Sequence, residues 1–155
     1  MLPIVVVAVL IIDQITKYLA INLKDGRTIS LIGDHLSLVY LENRGAAFGI
    51  LQNQKWFLMV SSILIIGYLV YFYLKHKESL NLLMRLGIGL VLGGAVGNMI
   101  DRIFRGFVVD FISYRFPNGY GFPIFNIADM AVVIGCIVLI LSSFQKEEKE
   151  SGRNW

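Results

Sequence analysis

The sequence predicts an all-α integral membrane protein, with four transmembrane helices in a single domain that spans residues 1–155. Composition is the first observation. Hydrophobic residues make up 56% of the 155 residues and charged residues only 16%, and the mean hydropathy is +0.68. A soluble domain of this size needs a more polar surface. The second observation is that the apolar residues gather in four segments, each close to the roughly 20 residues that a helix needs to cross a bilayer.

The four predicted spans cover about residues 2–23, 56–74, 84–100 and 127–144. The first carries Asp13 and Lys17 and lacks both a basic start and a small-residue cleavage site, so we expect it to be retained rather than removed as a secretory signal peptide. The second has aromatic residues at both ends, which is typical of an interfacial belt. The third is rich in glycines spaced four apart, which let neighbouring helices approach closely.

Four spans place both termini on one side of the membrane, together with the short polar connection at residues 75–83. Lys and Arg residues on that side number three in residues 75–85 and three in the C-terminal tail, against seven on the opposite side. The raw count is therefore nearly even. Because the first group is denser and less offset by acidic residues, the positive-inside rule places the termini in the cytoplasm.

Charge and cysteine content exclude several classes of function. The net charge of +3 is scattered, with no basic stripe interleaved with aromatic residues, so nucleic acid is not an expected partner. A single cysteine, Cys136, excludes an intramolecular disulfide and a cysteine-based metal cluster. The two histidines, His35 and His76, lie in segments that four spans place on opposite sides, and no HExxH motif occurs. We therefore expect no metal site.

The two outer connections are more than linkers. Residues 36–41 alternate in the manner of a strand, and a second run, 46–51, follows the turn-forming Asn43-Arg44-Gly45, which together predict a β-hairpin within a small sheet at about residues 28–51. The other connection, 101–125, contains an apolar stretch interrupted by one acid, Asp110.

Polar side chains inside spans are expensive, which makes them functional candidates. Asp13 and Lys17 lie four residues apart on one helical face, where they can form an ion pair that holds helices together or act near a site. At the end of the third span, one helical face carries Asn98, Asp101 and Arg102.

The fourth span opens with Asn126 and Asp129, which share a face and can serve as an N-cap and a first-turn acid. Capping leaves Asp110 unexplained. Two carboxyl groups near a low-dielectric boundary suggest hydrolysis, because like charges close together cannot both ionise, so one carboxyl group acts as acid and the other as base. Such chemistry needs neither metal nor cofactor, and none is expected.

Five motifs follow one another along the chain: Asp13-Gln14-Ile15-Thr16-Lys17, Asn43 to Gly49, Gly93 to Arg102, Val109-Asp110-Phe111 and Phe122 to Asp129. In this order they resemble those of the bacterial lipoprotein signal peptidases, also called signal peptidase II or prolipoprotein signal peptidases. The resemblance covers nearly the whole chain, including the number and spacing of the spans. No motif position departs from the family pattern.

In that family an aspartate dyad cleaves the signal peptide of a prolipoprotein immediately before a cysteine that already carries a diacylglyceryl group. The resemblance implies that the catalytic dyad is Asp110 and Asp129. It further implies a set of substrate-binding residues, which are Asn43, Asn98, Arg102 and Asn126, and a set of structural or supporting residues, which are Asp13, Lys17 and Asp101.

The resemblance also implies the surroundings of the enzyme. It predicts the bacterial cytoplasmic (inner) membrane, an active site near the outer leaflet, and a small extracytoplasmic β-cradle with a helical outer loop. The expected partners are diacylglyceryl-modified prolipoproteins, membrane lipid and, as inhibitors, cyclic peptides of the globomycin type. A monomer is expected.

Two other classes of function remain open at this point. A proton-coupled transporter or channel subunit would use Asp13, Asp110 and Asp129 to relay ions, and it predicts carboxyl groups distributed across the membrane thickness. A scaffold protein would use the glycine-rich third span for association and would not need Asp110 or Asp129. Cleavage of a prolipoprotein by purified protein separates the peptidase from both.

Overall fold

The computed structural model describes residues 1–45 and 51–151, with the backbone alone for residues 145–151. Its elements in chain order are α1 (Leu2–Ala20), a 3-10 turn (Ile21–Leu23), β1 (Ile29–Ile32), β2 (Leu36–Asn43), α2 (Lys55–His76), α3 (Leu82–Phe104), β3 (Val108–Tyr114) and α4 (Ile127–Ser151). Within these described ranges, four helical segments are long and apolar enough to span a membrane: Leu2–Leu23, Lys55–His76, Leu82–Phe104 and Ile127–Phe144. The four predicted spans are confirmed.

The third span runs further than predicted. The sequence places the end of the span at about residue 100, with Asp101 and Arg102 on the helical face that closes it, and α3 continues to Phe104. Asp101 is fully buried there and pairs with Lys17 of α1. A charge that finds its counter-ion on a neighbouring helix does not have to leave the apolar region, so the helix continues past it.

Helix α3 is the centre of the bundle, and its glycines are the reason. A Cβ at Gly93 would lie 2.8 Å from Cβ of Val9 in α1, and a Cβ at Gly97 would lie 2.7 Å from Oδ2 of Asp13. On another face, a Cβ at Gly94 would collide with the backbone carbonyl of Ala128 in α4. Only glycine permits these approaches, so the predicted close packing of the glycine-rich span is confirmed.

The remaining span, α2, packs differently. It has no buried residue of its own, and its C-terminal half lies against a small apolar cluster that includes Leu80, Ile88 and Leu92. The end of the bundle at the α2–α3 connection is thus held by ordinary apolar contact. A hydrogen bond between Asn81 and the buried Ser142 adds to it.

A three-stranded antiparallel sheet lies at the other end of the bundle, in the order β1-β2-β3. The pairing of β2 with β3 sets Leu41 opposite Asp110 and Asn43 opposite Val108. Since alternate residues of a strand share a face, Asn43 and Asp110 are diagonal neighbours on the same face of the sheet. The third strand was not predicted from the sequence.

The predicted hairpin is only partly right. Strand β2 is present, but it forms its hairpin with the preceding β1, through a turn at residues 33–35 in which Gly33 adopts a positive φ of 48°. The predicted partner run, 46–51, falls almost entirely on residues 46–50, which lie outside the described residues. The 3-10 turn Ile21–Leu23 belongs to the end of the first span, and the described connections between spans contain no further helical element, so the helical outer loop stays a prediction.

Candidate active site

Asp110 and Asp129 are brought together by backbone pairing between two segments distant in sequence. The carbonyl of Phe125 accepts hydrogen bonds from the amides of Phe111, at 3.1 Å, and Ile112, at 2.9 Å. That bridge sets the start of α4 beside β3, so Asn126 lies next to Asp110. The two acids that the sequence places at the ends of successive apolar segments therefore belong to one site.

Asn126 contacts both acids. Its Nδ2 donates to Oδ1 of Asp110 at 2.6 Å, and its backbone amide donates to Oδ2 of Asp129 at 3.2 Å. In return, Oδ1 of Asn126 accepts from the backbone amide of Asp129 at 2.9 Å, which is a reciprocal helix cap. The capping alternative is thus confirmed for this pair. The cap also fixes the position of Asp129 relative to Asp110.

Each acid receives one more amide. Nδ2 of Asn43 donates to Oδ2 of Asp110 at 2.8 Å, and Nδ2 of Asn98 donates to Oδ1 of Asp129 at 2.7 Å. The sequence assigns substrate contact to Asn43 and Asn98, whereas the structure places both amides on the acids. Both carboxyl groups are consequently held in defined orientations before any substrate binds.

The cations nearest this pair of acids, Lys17 and Arg102, act on it through space and not as ion pairs. Within the described part of the chain, no Lys, Arg or His nitrogen forms an ion pair with Asp110 or Asp129. Asp110 is 1% exposed, and its burial, reinforced by the neighbouring charge of Asp129, raises the pKa of Asp110 to about 7. The hydrogen bonds from Asn43 and Asn126 oppose that rise. Asp129 is less deeply buried than Asp110, so water reaches the pair from its side.

A second cluster of charges lies beside the first, and its composition is different. Lys17 is fully buried, and its Nζ lies 2.9 Å from Oδ2 of Asp13 and 3.0 Å from Oδ2 of Asp101, both of which are also fully buried. The predicted ion pair between Asp13 and Lys17 is therefore present. Asp101, which the sequence assigns to a supporting set, completes it from α3.

The two clusters share one amide. Nζ of Lys17 donates to Oδ1 of Asn98 at 2.9 Å, while Nδ2 of the same Asn98 donates to Asp129. The lysine thereby fixes which end of the Asn98 side chain faces Asp129.

Arg102 is half-buried and borders the site without joining either cluster. Its guanidinium donates to the backbone carbonyl of Gly45 at 3.2 Å and, more weakly, to that of Asn98 at 3.5 Å. It therefore links the end of α3 to the segment that follows β2. The predicted substrate contact of Arg102 stays a prediction.

Two residues of the second cluster were missed in the sequence. Nε2 of Gln14 donates to Asp13 at 3.1 Å and to Asp101 at 3.3 Å, and its Oε1 accepts from Arg105 at 3.3 Å. Arg105 also forms an ion pair with Asp101. Gln14 could have been selected from the sequence, because it is a polar amide within an apolar span. For Arg105 there was none, because the sequence places it in a solvated loop beyond α3.

The arrangement suits hydrolysis by two carboxyl groups. Asp110 and Asp129 are close and oriented, neither forms an ion pair with a described residue, and one of them retains a proton near neutral pH. Among the described residues, no group of three or more His, Cys, Asp or Glu side chains is placed to hold a metal ion.

Comparison with known proteins agrees with this chemistry. Residues 5–145 match the model of a protein family described as signal peptidase (SPase) II. The chain is also similar to two solved structures described as bacterial membrane enzymes. One is 40% identical over 96% of this chain and 90% of its own, with a TM-score of 0.85. The other is 42% identical over 91% of this chain and 90% of its own, with a TM-score of 0.79.

Proposed function

This chain belongs to the signal peptidase II family, and we propose that Asp110 and Asp129 are the carboxyl groups with which it cleaves its substrate. The family makes it a multi-pass membrane enzyme, an aspartic endopeptidase that removes the signal peptide from prolipoproteins. It thereby favours the peptidase over the transporter and scaffold alternatives. The observation that carries the residue assignment is that Asn126 hydrogen-bonds to both acids while no cation pairs with either in the described residues.

The two acids have separate tasks in this mechanism. Asp129, the partner nearer to water, acts as base and takes a proton from a water molecule whose oxygen adds to the scissile carbonyl carbon. Asp110, which retains a proton near neutral pH, acts as acid and protonates the leaving nitrogen as the carbon–nitrogen bond breaks. The products are a signal peptide with a new carboxylate and a mature chain with a free α-amine, so atoms and protons balance.

The surrounding amides keep this geometry. Each dyad carboxyl group accepts hydrogen bonds from these amides, which are Asn43, Asn98 and Asn126. Because the amides are already in place, they do not have to reorient during the reaction as water molecules would. Arg102 and Asn43 border the open side of the site and are proposed to contact the substrate backbone as well.

The substrate is proposed to be a prolipoprotein whose cysteine already carries a diacylglyceryl group, with cleavage immediately before that cysteine. A lipid-modified chain stays in the bilayer, so its enzyme must present the acids at the membrane boundary. Asp129 in the first turn of α4 and Asp110 in β3, just outside the spans, are consistent with that requirement. Cyclic peptides of the globomycin type are proposed to compete for the same groove, and the working unit is proposed to be a monomer in the cytoplasmic membrane.

Detergent-purified protein incubated with a diacylglyceryl-modified prolipoprotein tests this proposal. Mass spectrometry of the products is expected to show the released signal peptide and a mature chain beginning at the lipidated cysteine. The same prolipoprotein without the lipid is the matched control and should be cut far more slowly. Equal cleavage of both forms would contradict the proposed substrate class, and no cleavage of either would contradict the function.

Orientation is a separate proposal, with the termini in the cytoplasm and the dyad on the outer side. Cysteine is introduced at Asn43 in one variant and at Ser79 in another, both in a Cys136→Ala background. A membrane-impermeant thiol reagent applied to intact cells should label position 43 and not position 79. The reverse pattern would overturn the orientation and the claim that the dyad faces an exported substrate.

A further inference from the structure

The acids of the second cluster each bind the backbone immediately before a dyad residue. Oδ2 of Asp101 accepts a hydrogen bond from the amide of Val109 at 3.1 Å, and Val109 precedes Asp110. Oδ1 of Asp13 accepts from the amide of Ala128 at 2.9 Å, and Ala128 precedes Asp129. A displacement of either amide therefore moves the catalytic carboxyl group that follows it.

Lys17 connects these two backbone anchors. Its ammonium group lies between Asp13 and Asp101 and also binds Asn98, whose amide is on Asp129. All three charged side chains are fully buried, and each buried polar side-chain atom in the described residues has a partner. A buried polar network in which every group has a partner is rigid. It therefore holds the amides of Val109 and Ala128 at fixed positions relative to each other.

From this geometry we infer that Asp13, Lys17 and Asp101 form a positioning clamp, which sets the separation and orientation of the two dyad carboxyl groups through the amides of Val109 and Ala128. The inference rests on the proposed assignment of Asp110 and Asp129. The clamp residues touch no reacting atom, and their effect is on turnover rather than on substrate binding.

Three substitutions at Asp101 separate positioning from simple ion pairing. Asp101→Ala removes the acceptor for the Val109 amide and the counter-charge of Lys17. Asp101→Asn retains a carbonyl oxygen that can accept from both Val109 and Lys17, so it keeps the anchor without the charge. Asp101→Glu keeps the charge but lengthens the side chain by one methylene, which pushes the anchored strand away from its place.

The assay measures kcat and KM with a diacylglyceryl-modified prolipoprotein in detergent micelles. For Asp101→Ala we expect kcat to fall at least about 30-fold with KM within about threefold, since a misplacement of about 1 Å can cost 10²-fold. Asp101→Asn should recover a substantial part of that loss. Asp101→Glu should lose at least about tenfold in kcat despite its retained charge, and it keeps the test open if the alanine variant fails to fold.

Asn81→Ala is the matched control, because it removes the N-cap of α3 and a part-buried hydrogen bond to Ser142 of α4 at the opposite end of the bundle. It should lower the Tm in detergent and leave kcat within about twofold. Wild-type kcat in Asp101→Glu would overturn the clamp, since the pair with Lys17 would then be the whole role of Asp101. A kcat loss in Asp101→Ala no larger than in Asn81→Ala at equal loss of Tm would overturn it as well.

Asp110→Asn and Asp129→Asn are assayed in parallel to separate this inference from the one on which it rests. If both are inactive and the Asp101 variants behave like the control, the clamp alone is wrong. If either dyad variant turns over normally, the dyad assignment is wrong and the clamp is wrong with it.

Discussion

Two pairs of acids lie side by side in this protein, and they differ in what surrounds them. Asp13 and Asp101 both form ion pairs with Lys17, at 2.9 Å and 3.0 Å from its Nζ. Asp110 and Asp129 are held by amides and form no ion pair in the described residues. One pair is neutralised and the other is not.

The difference shows how a protein assigns chemistry to some of its carboxyl groups and structure to others. A buried acid with a counter-ion is a stable anion and a poor proton donor. A buried acid that is bound only by amides can be either protonated or ionised, and its ionised form costs folding free energy. We therefore assign proton transfer, as proposed above, to Asp110 and Asp129.

The largest expected effect is on turnover. Asp110→Asn and Asp129→Asn should each lower kcat at least about 10³-fold, because each removes one of the two proton-transfer groups. Asp34→Asn, at an exposed acid in the turn between β1 and β2, is the control and should turn over normally. Near-normal turnover in either dyad variant would remove that residue from the catalytic role.

The stability of the same variants sharpens the comparison. Folding raises the pKa of Asp110, so the ionised form destabilises the folded state increasingly as the pH rises from about 4 towards 7. Asp110→Asn removes that cost, so its Tm at pH 8 should not lie below that of the wild type.

The second prediction concerns the neutralised pair. Lys17→Met leaves Asp13 without a cation and Asp101 with Arg105 alone, and it should lower the free energy of unfolding by about 3–5 kcal/mol. Lys24→Met is the control, because Lys24 pairs with Glu42 while 62% exposed, and surface pairs contribute about 1 kcal/mol or less. Thermal unfolding in detergent compares the two. Equal Tm values for both variants would mean that the buried cluster does not stabilise the fold.

The next largest effect is expected on stability, from substitutions at the glycines of α3 that let the helices pack closely. Gly93→Leu and Gly97→Leu should each cost about 1–3 kcal/mol, since the new side chain meets α1 directly. Gly67→Leu in α2 is the matched control, because a Cβ there meets nothing within 4 Å. Similar Tm values for all three variants would show that the glycine face of α3 does not determine helix packing.

The smallest expected effect is at Asn43, whose hydrogen bond favours the ionised form of Asp110. Asn43→Ala should therefore raise the pKa of Asp110, moving the alkaline fall of kcat upward by about one pH unit. Because Asp110 also loses a hydrogen bond that orients it, turnover at pH 7 should decline several-fold without being lost. If the alkaline fall of kcat stays at the same pH in Asn43→Ala, Asn43 does not influence the pKa of Asp110.

Much of this organisation could be predicted from the sequence, and the physical reasons differ by feature. The four spans follow from composition and length, and the close packing of α3 follows from glycine spacing. The pair Asp13–Lys17 follows from helical periodicity alone.

Other features depend on contacts that no local pattern encodes. Strand β3 contains an acid in an apolar stretch, and it becomes a strand because β2 and Phe125 supply partners. Asp101 is fully buried because a lysine of another span pairs with it. The role of Asn43 was predicted only as substrate contact, since its pairing with Asp110 joins residues 67 positions apart.

An infrared titration of carboxyl protonation in the purified protein tests whether the dyad, which forms no ion pair in the described residues, keeps a proton. We expect a protonated carboxyl band that disappears with a midpoint near pH 7, is absent in Asp110→Asn and persists in Asp101→Asn. A wild-type protein with no carboxyl group titrating above about pH 5, or a band that survives in Asp110→Asn, would contradict it.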